Sequence, residues 1–413
     1  MAARVTLEWL PPSERLIRCQ AATLLGLTLY DLDACGQAFE QALAYARECS
    51  VSHVTIFAHG SWAWLLAMQG KLREAHAACY EAIRLAQSSN THQPLPTLSH
   101  VYSTLSFVLC EWNDLEGALR YSKEAFDLAR RWEQADALHF TLTYYGYALF
   151  ASGDVAGAFD ILNQALQVAR RTSVWFEEIT IAQEVEWYLA LDNLEAAVHC
   201  LHKAQVDIDD PSKISLSSFK SGYLSLIFVK LLIAQKQYTN ALTLIDRLLV
   251  DMEKRKLWNF IVRILTWQAL AYRGLRQEAQ ALVSLKRALT LAAPGGFVRA
   301  FIGEGSGLIS LLHQAHAARI MPDYIDTLLA EFNRGAKDQP VEAAATSGLV
   351  EPLSDREKDV LKLLAQGCTD KKIAESLVIA RETVHKHLKN IYGKLDVHSR
   401  TEAILRARQL GVL

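Results

Sequence analysis

QGKLREAHAACYEAIRLAQ, residues 69–87, decides the fold of this chain. It opens on a turn containing Gly70, then places Ala75, a residue four later, and Ala82 seven later. The same frame recurs as NDLEGALRYSKEA (113–125), GDVAGAFDILNQA (153–165) and DNLEAAVHCLHKA (192–204). Weaker copies are YDLDACGQAFEQA (30–42), KQYTNALTLIDRL (236–248) and RQEAQALVSLKRA (276–288). The anchors fall at Cys35, Ala75, Ala118, Ala158, Ala197, Ala241 and Ala281, 39 to 44 residues apart. A fixed period of this kind predicts stacked supersecondary units.

Small residues at the anchor and seven positions later lie on one helix face, two turns apart, where a neighbouring helix approaches closely. Gly70, Asn113, Gly153 and Asp192 stand in the turns and tolerate a sharp reversal between antiparallel helices. Apolar stretches before the turns (53–68, 98–112, 138–150 and 222–234) supply the first helix of each pair. One hairpin alone leaves an apolar face bare, whereas seven stacked hairpins share a continuous core and coil into a right-handed superhelix with a concave surface. The unit resembles the tetratricopeptide repeat, with a period longer than the usual ~34 residues. The expected fold class is all-α: a tetratricopeptide-like helical-repeat superhelix over 1–292, followed by a smaller C-terminal domain.

Composition agrees with a folded chain. Of 413 residues, 51% are apolar and 21% charged, which excludes a disordered or collagen-like polypeptide. No uncharged apolar run is long enough to span a membrane; 223–234 comes nearest and contains Lys230. MAARVTLEWLPPSER (1–15) lacks the basic and apolar regions of a secretory signal. Seven scattered cysteines without a CxxC pair read as reduced thiols. Together these predict a soluble cytoplasmic protein.

No phosphate loop, nucleophile elbow or HExxH helix is present, so neither an enzyme nor a cofactor is expected. His199, Cys200 and His202, and the pair His313 and His316, lack a matching second pair and read as structural or surface residues rather than metal ligands. Trp62, Trp64, Trp112, Trp132, Trp175, Trp187, Trp258 and Trp267 have two readings, a ligand groove or core filling, with core filling the commoner role.

Beyond the repeats, APGGFVRAFIGEGSGLISLLHQAHAARIMPDYIDTLLAEF (293–332) is expected to form short helices that close the open end of the array, broken at Pro294-Gly295-Gly296 and at Pro322. NRGAKDQPVEAAATSGLVEP (333–352) loses periodicity and reads as a linker. The last 61 residues, 353–413, hold 12 Lys+Arg against 8 Asp+Glu, while the remainder of the chain is acidic. A basic module on an acidic body points to nucleic acid as the partner of the tail.

That tail predicts four helices. The first runs over 354–366, with Ser354 and Glu357 in capping-box positions and Gly367 as its stop; the second follows the Thr369 cap over 370–377. After the turn 378–380 come helices over about 381–395 and 400–409. A short helix, a three-residue turn and a longer helix is the helix-turn-helix layout. On the third helix Val384, Leu388, Ile391 and Leu395 fall within about 60° of one another at ~100° per residue, a narrow core stripe. The opposite face carries Glu382, Lys386, Lys389, Asn390 and Gly393. Lys386 and Lys389 suit base edges or phosphates, and Asn390 offers a paired donor and acceptor. Thr383 lies at the helix N-terminus, where a phosphate is favoured. His385 and His387 lie on opposite flanks, better placed for backbone contacts, and Lys371 of the second helix joins the DNA-contact set.

LSDREKDVLKLLAQGCTDKKIAESLVIARETVHKHLKNIYGKLDVHSRTEAILRA (353–407) closely resembles the LuxR-type helix-turn-helix of bacterial transcription regulators. The shared pattern includes Arg356-Glu357, Gly367, Ile373-Ala374, Thr383-Val384, His387, Lys394-Leu395 and Arg400-Thr401-Glu402-Ala403. The resemblance implies that His385, Lys386 and Lys389 enter the major groove, and that His387 and Arg400 touch the DNA backbone or hold the helices. Two departures stand out. His385 occupies a position where the family usually has Lys, which makes binding pH-sensitive. Ala380 replaces the usual Ser cap, at a cost of about 1 kcal/mol.

Divergent hairpins followed by APGGFVRAFIGEG and this tail resemble the C-terminal half of MalT-like regulators. In that family an ATP-binding signalling domain precedes a superhelical sensor. The sequence has no such domain and reads as a truncated member, a short paralogue or a fragment. The resemblance implies a non-enzymatic transcription regulator whose tail binds double-stranded operator DNA as a homodimer, with RNA polymerase as a further partner. An inducer or regulatory protein would bind the repeat body. The competing reading is a helical-repeat interaction scaffold with a secondary or inactive DNA-binding tail.

Overall fold

Gly70, Asn113, Gly153, Asp192, Lys236 and Arg276 all have left-handed backbones, with φ between 55° and 91°. In each case the next residue donates its N–H to a carbonyl five positions back: Lys71 to Leu66, Asp114 to Leu109, Asp154 to Leu149, Asn193 to Tyr188, Gln237 to Leu232 and Gln277 to Tyr272. This is the Schellman closure of a helix, repeated in six hairpins. The following helix begins at once. Asp114, Asp154 and Asn193 cap it, accepting from the N–H of Gly117 at 3.0 Å, Gly157 at 2.9 Å and Ala196 at 3.2 Å.

The computed structural model describes residues 10–338 and 354–409, apart from 12, 29–31, 51, 89–93, 133, 204–218, 366–367, 378, 396 and 398–399. Gly367 and Val378 therefore lie outside the described residues. All regular structure among the described residues is helical. Seven hairpins come first: α1 (Arg15–Thr28) with α2 (Leu32–Arg47), α3 (His53–Met68) with α4 (Leu72–Ser88), and α5 (Leu98–Glu111) with α6 (Leu115–Trp132). Then follow α7 (Ala135–Ala151) with α8 (Val155–Thr172), α9 (Val174–Ala190) with α10 (Leu194–Lys203), α11 (Phe219–Ala234) with α12 (Tyr238–Lys254), and α13 (Trp258–Gly274) with α14 (Glu278–Ala292). The anchors Cys35, Ala75, Ala118, Ala158, Ala197, Ala241 and Ala281 are all buried, as the close-approach argument requires.

Among the first helices of the pairs, α3, α5 and α13 are enclosed on nearly all sides. In α5 the hydroxyls of Ser103 and Thr104 bond back to the carbonyls of Ser99 at 2.8 Å and His100 at 3.0 Å, which lets a polar sequence sit in the core. Trp187 is buried, and Trp62, Trp64, Trp112 and Trp258 pack against the core, so these five take the core-filling role; Trp267 is buried as well.

After α14 the chain turns back on the array. Gly295 passes so close to the turn at Gly70 that a Cβ on it would meet the Gly70 carbonyl at 2.7 Å. Trp112 Nε1 donates to the Gly295 carbonyl at 2.8 Å, and Val298 N–H donates to the Glu111 carbonyl at 2.8 Å. Arg299 reaches Asn113 Oδ1 at 3.0 Å and the Ala151 carbonyl at 2.9 Å. Residues 294–299 thus tie the last hairpin to the turns of the second, third and fourth. The segment continues as α15 (Arg299–Ile302), α16 (Ser306–Ala317) and α17 (Pro322–Asp338). α17 runs six residues into the stretch expected to be linker; once a helix is nucleated, extension needs no apolar periodicity. Residues 339–352 lie outside the described residues.

Two buried ion-pair groups cross the interior. Glu111 is fully buried and accepts from Arg263 and from the Tyr147 hydroxyl, the latter at 3.1 Å. Lys230 Nζ lies 3.2 Å from both Glu186 and Glu304. Burial penalises the Glu186 carboxylate, yet Lys230 and Arg263 outweigh that and hold its pKa below the ordinary value.

His100 and His139 are expected to make the array acid-sensitive. Burial pushes both imidazoles from 6.5 down to about 4. The Thr180 hydroxyl donates to the Phe176 carbonyl and lies 2.8 Å from His139 Nε2, an arrangement that fits a neutral ring donating to Thr180. A depressed folded pKa contributes stability above the unfolded value and loses it as pH falls, here from 6.5 toward about 4. The expected loss is about 1.4 kcal/mol per pH unit for each histidine within that window. Urea unfolding at stepped pH checks it, and His139→Gln should remove its part of the slope; a stability flat across the window contradicts the assignment.

Candidate nucleic-acid interface

The C-terminal unit, residues 333–413, has its own core. It contains α18 (Asp355–Ala365), α19 (Asp370–Leu377), α20 (Arg381–Leu395) and α21 (Arg400–Gln409). α18 starts with the reciprocal cap read from the sequence: Ser354 N–H donates to Glu357 Oε2 at 2.8 Å, and Glu357 N–H donates to Ser354 Oγ at 3.3 Å. Lys394 Nζ on α20 adds a third bond to Glu357 at 3.0 Å. Burial alone would raise the Glu357 pKa, but the Ser354 N–H and Lys394 bonds hold it below the ordinary carboxylate value. Thr369 Oγ1 caps α19 through Lys372 N–H at 3.4 Å.

Val384, Leu388, Ile391 and Leu395 of α20 are buried, packed with Val360, Leu361, Leu364, Ile373, Ala403 and Ala407. The stripe fixes the rotation of the helix, so its opposite face is presented outward. There His385, Lys386, Lys389, Asn390 and Gly393 are exposed, with Thr383 and His387 half-buried on the flanks. A Cβ on Gly393 would meet nothing within 4 Å, which leaves the outer face flat beside Lys389. Among the described residues Lys386 and Lys389 take part in no ion pair. The first turn of α20 is closed by backbone alone, Thr383 and Val384 N–H donating to the Ala380 carbonyl at 3.0 and 3.2 Å.

Arg400 is committed inward. Its guanidinium donates to Asp370 Oδ1 at 2.9 Å and to the Cys368 carbonyl, bracing α21 against the start of α19. The second carboxylate oxygen of Asp370 lies 3.7 Å from His385 Nε2. Asp370 therefore links three helices, a role invisible in the sequence because its partners lie 15 and 30 residues away. Of the eight candidate contacts, the structure gathers His385, Lys386, Lys389 and Asn390 on one exposed surface. It places Thr383 and His387 at the edges and Arg400 as a brace. The Lys371 side chain lies outside the described residues.

Among the described residues no three His, Cys, Asp or Glu side chains converge as a metal site, and no helix is long and apolar enough to cross a membrane.

Comparison with known proteins follows the same division. Residues 1–318 match the MalT-like TPR region, and residues 351–407 match the luxR family of bacterial regulatory proteins. The HTH-type transcriptional regulator MalT of Serratia proteamaculans (strain 568) is 23% identical over 432 residues, covering 99% of this chain and 47% of that protein. Its namesake in Klebsiella pneumoniae (strain 342) is 26% identical over 442 residues, covering 98% of this chain and 47% of that protein. This chain thus spans about half the length of the curated relatives it matches. Among solved structures, a Rap protein complexed with competence and sporulation factor superposes with a TM-score of 0.54 at 12% identity. That superposition covers 71% of this chain and 79% of that one, a likeness of fold. With three quarters of its length matched by the repeat family and its tail by the second, the chain belongs to the MalT-like TPR family and carries a luxR-family regulatory domain.

Proposed function

We propose that the chain is a cytoplasmic, non-enzymatic transcription regulator that binds double-stranded operator DNA through the outer face of α20. One observation carries the reading: a buried apolar stripe turns His385, Lys386, Lys389 and Asn390 outward together on a helix that follows a short turn. Those side chains supply phosphate and base-edge contacts, and the first turn of α20 offers N–H groups to a phosphate. Arg400 supports the interface by holding α19 and α21 in register, and Lys371 belongs to the proposed contact set. A single recognition helix reads few base pairs, so two copies on adjacent half-sites provide the specificity. The repeat body receives an inducer or regulatory protein and governs the tail, which in turn recruits RNA polymerase.

The test is fluorescence anisotropy of the whole chain on promoter fragments from its own locus, titrated over a salt series against scrambled DNA. The reading expects a preference of at least ~1000-fold for one fragment. Equal affinity for both fragments overturns it and leaves the scaffold reading in its place.

A further inference from the structure

Where α5, α7, α9, α11 and α13 converge, the array forms a partly open chamber of about 60 Å³. A water needs roughly 10–15 Å³ on such a scale, so the space holds a molecule of a few non-hydrogen atoms. Its walls are mostly aromatic, with the rings of Tyr144, Tyr223, Phe260 and Trp267 around the space. Three polar groups set into those walls have no hydrogen-bond partner among the described residues: Gln183 Oε1, Asn259 Oδ1 and Trp267 Nε1. Their residues are only 7%, 3% and 2% exposed, so bulk water does not satisfy them. Gln183 donates its amide to the Thr143 carbonyl at 3.1 Å, which fixes its own carbonyl as the free acceptor. Buried polar atoms without partners are costly, and three on one small chamber mark a place for a ligand.

Charge decides the class. Glu186 and Arg263 line the chamber. Behind them Glu111 pairs with Arg263, and Lys230 pairs with Glu186 and Glu304. Three carboxylates thus share two cations in the cluster, of which only Glu186 and Arg263 reach the chamber wall, and a carboxylate beside aromatic rings is a setting that favours an ammonium group. Trp267 already takes a cation on its ring, with Lys230 Nζ 5.4 Å from the centroid. The free acceptors on Gln183 and Asn259 ask for N–H donors, and the Trp267 N–H asks for an oxygen.

We propose that this chamber binds a small primary amine bearing a hydroxyl group, its ammonium held by Gln183, Asn259 and Glu186 and its oxygen by Trp267. The proposal deepens the reading of the repeat body as the sensing part and rests on it. Five first helices share the chamber, so an occupant bridges hairpins that are far apart in the chain.

Isothermal titration of the whole chain with ethanolamine tests this, with ethylene glycol as the neutral counterpart of equal size. Ethanolamine should bind one per chain and at least tenfold more tightly than ethylene glycol. Gln183→Leu should weaken ethanolamine about tenfold. Trp267→Phe keeps an aromatic ring while removing the indole N–H together with the five-membered ring that carries it, so it serves where the first variant fails to fold, and it should weaken binding several-fold. Equal binding of the two probes, wild-type affinity in Trp267→Phe, or no heat with ethanolamine overturns the proposal. A parallel DNA titration keeps the two readings apart: intact operator binding without ethanolamine binding removes the chamber alone, whereas ethanolamine binding without operator preference removes the regulator reading and leaves the chamber.

Discussion

Arg263→Met should destabilise the helical array by about 3–5 kcal/mol, the range for removing one partner of a buried ion pair. Glu111 is fully buried, and without Arg263 it keeps, among the described residues, only the Tyr147 hydroxyl at 3.1 Å. Burial works against the Arg263 guanidinium, yet Glu111, Tyr147 and Glu186 overcome it and raise its pKa well above the ordinary value, so the charge is present at every working pH. The effect extends beyond α13, because the Glu111 carbonyl accepts the Val298 N–H that docks the 294–299 segment onto the array. Urea unfolding monitored by helical circular dichroism measures the loss. Replacing Glu111 by Met in the same chain should recover much of it, since an apolar pair leaves no stranded charge. A loss below about 1 kcal/mol would show the pair to be no stronger than a solvent-screened surface bridge.

Lys386→Ala combined with Lys389→Ala should weaken operator binding by about 10- to 100-fold near 0.1 M salt and reduce the salt slope by about one per lysine that meets a phosphate. Both side chains are exposed and outside the α20 core stripe, so the domain should unfold at the wild-type midpoint. Arg400→Ala provides the contrast. It cuts the bonds to Asp370 and Cys368 and should lower the stability of the C-terminal unit as well as its affinity. Unchanged titrations for the double variant would remove the outer face of α20 from the interface.

The repeat frame was legible because its physics is local. Alanines seven apart mark helix faces that must approach closely, and Gly70, Asn113, Gly153 and Asp192 are residue types that accept a left-handed backbone. Lys236 and Arg276 adopt the same conformation with no such preference; there the packing of two helices imposes the turn on whatever residue stands in it. The recognition helix was equally readable, since Val384, Leu388, Ile391 and Leu395 alone determine which face is buried.

Contacts between distant parts of the chain were not legible. In the segment 293–332, Gly295 meets Trp112 from 183 residues away and Arg299 meets Asn113 from 186. No local pattern encodes that return. The role of Asp370 is hidden for the same reason, its partners His385 and Arg400 coming from two other helices. The chamber is likewise a product of coiling, its polar groups drawn from α9 and α13.

Methylation interference on the bound operator tests the central claim most directly, because dimethyl sulfate marks guanine N7 in the major groove and adenine N3 in the minor groove. The account predicts that methylation at N7 blocks binding in two clusters about 10 base pairs, or one helical turn, apart, where two copies of α20 lie in the major groove. Interference confined to adenine N3, or none at any base, would contradict it.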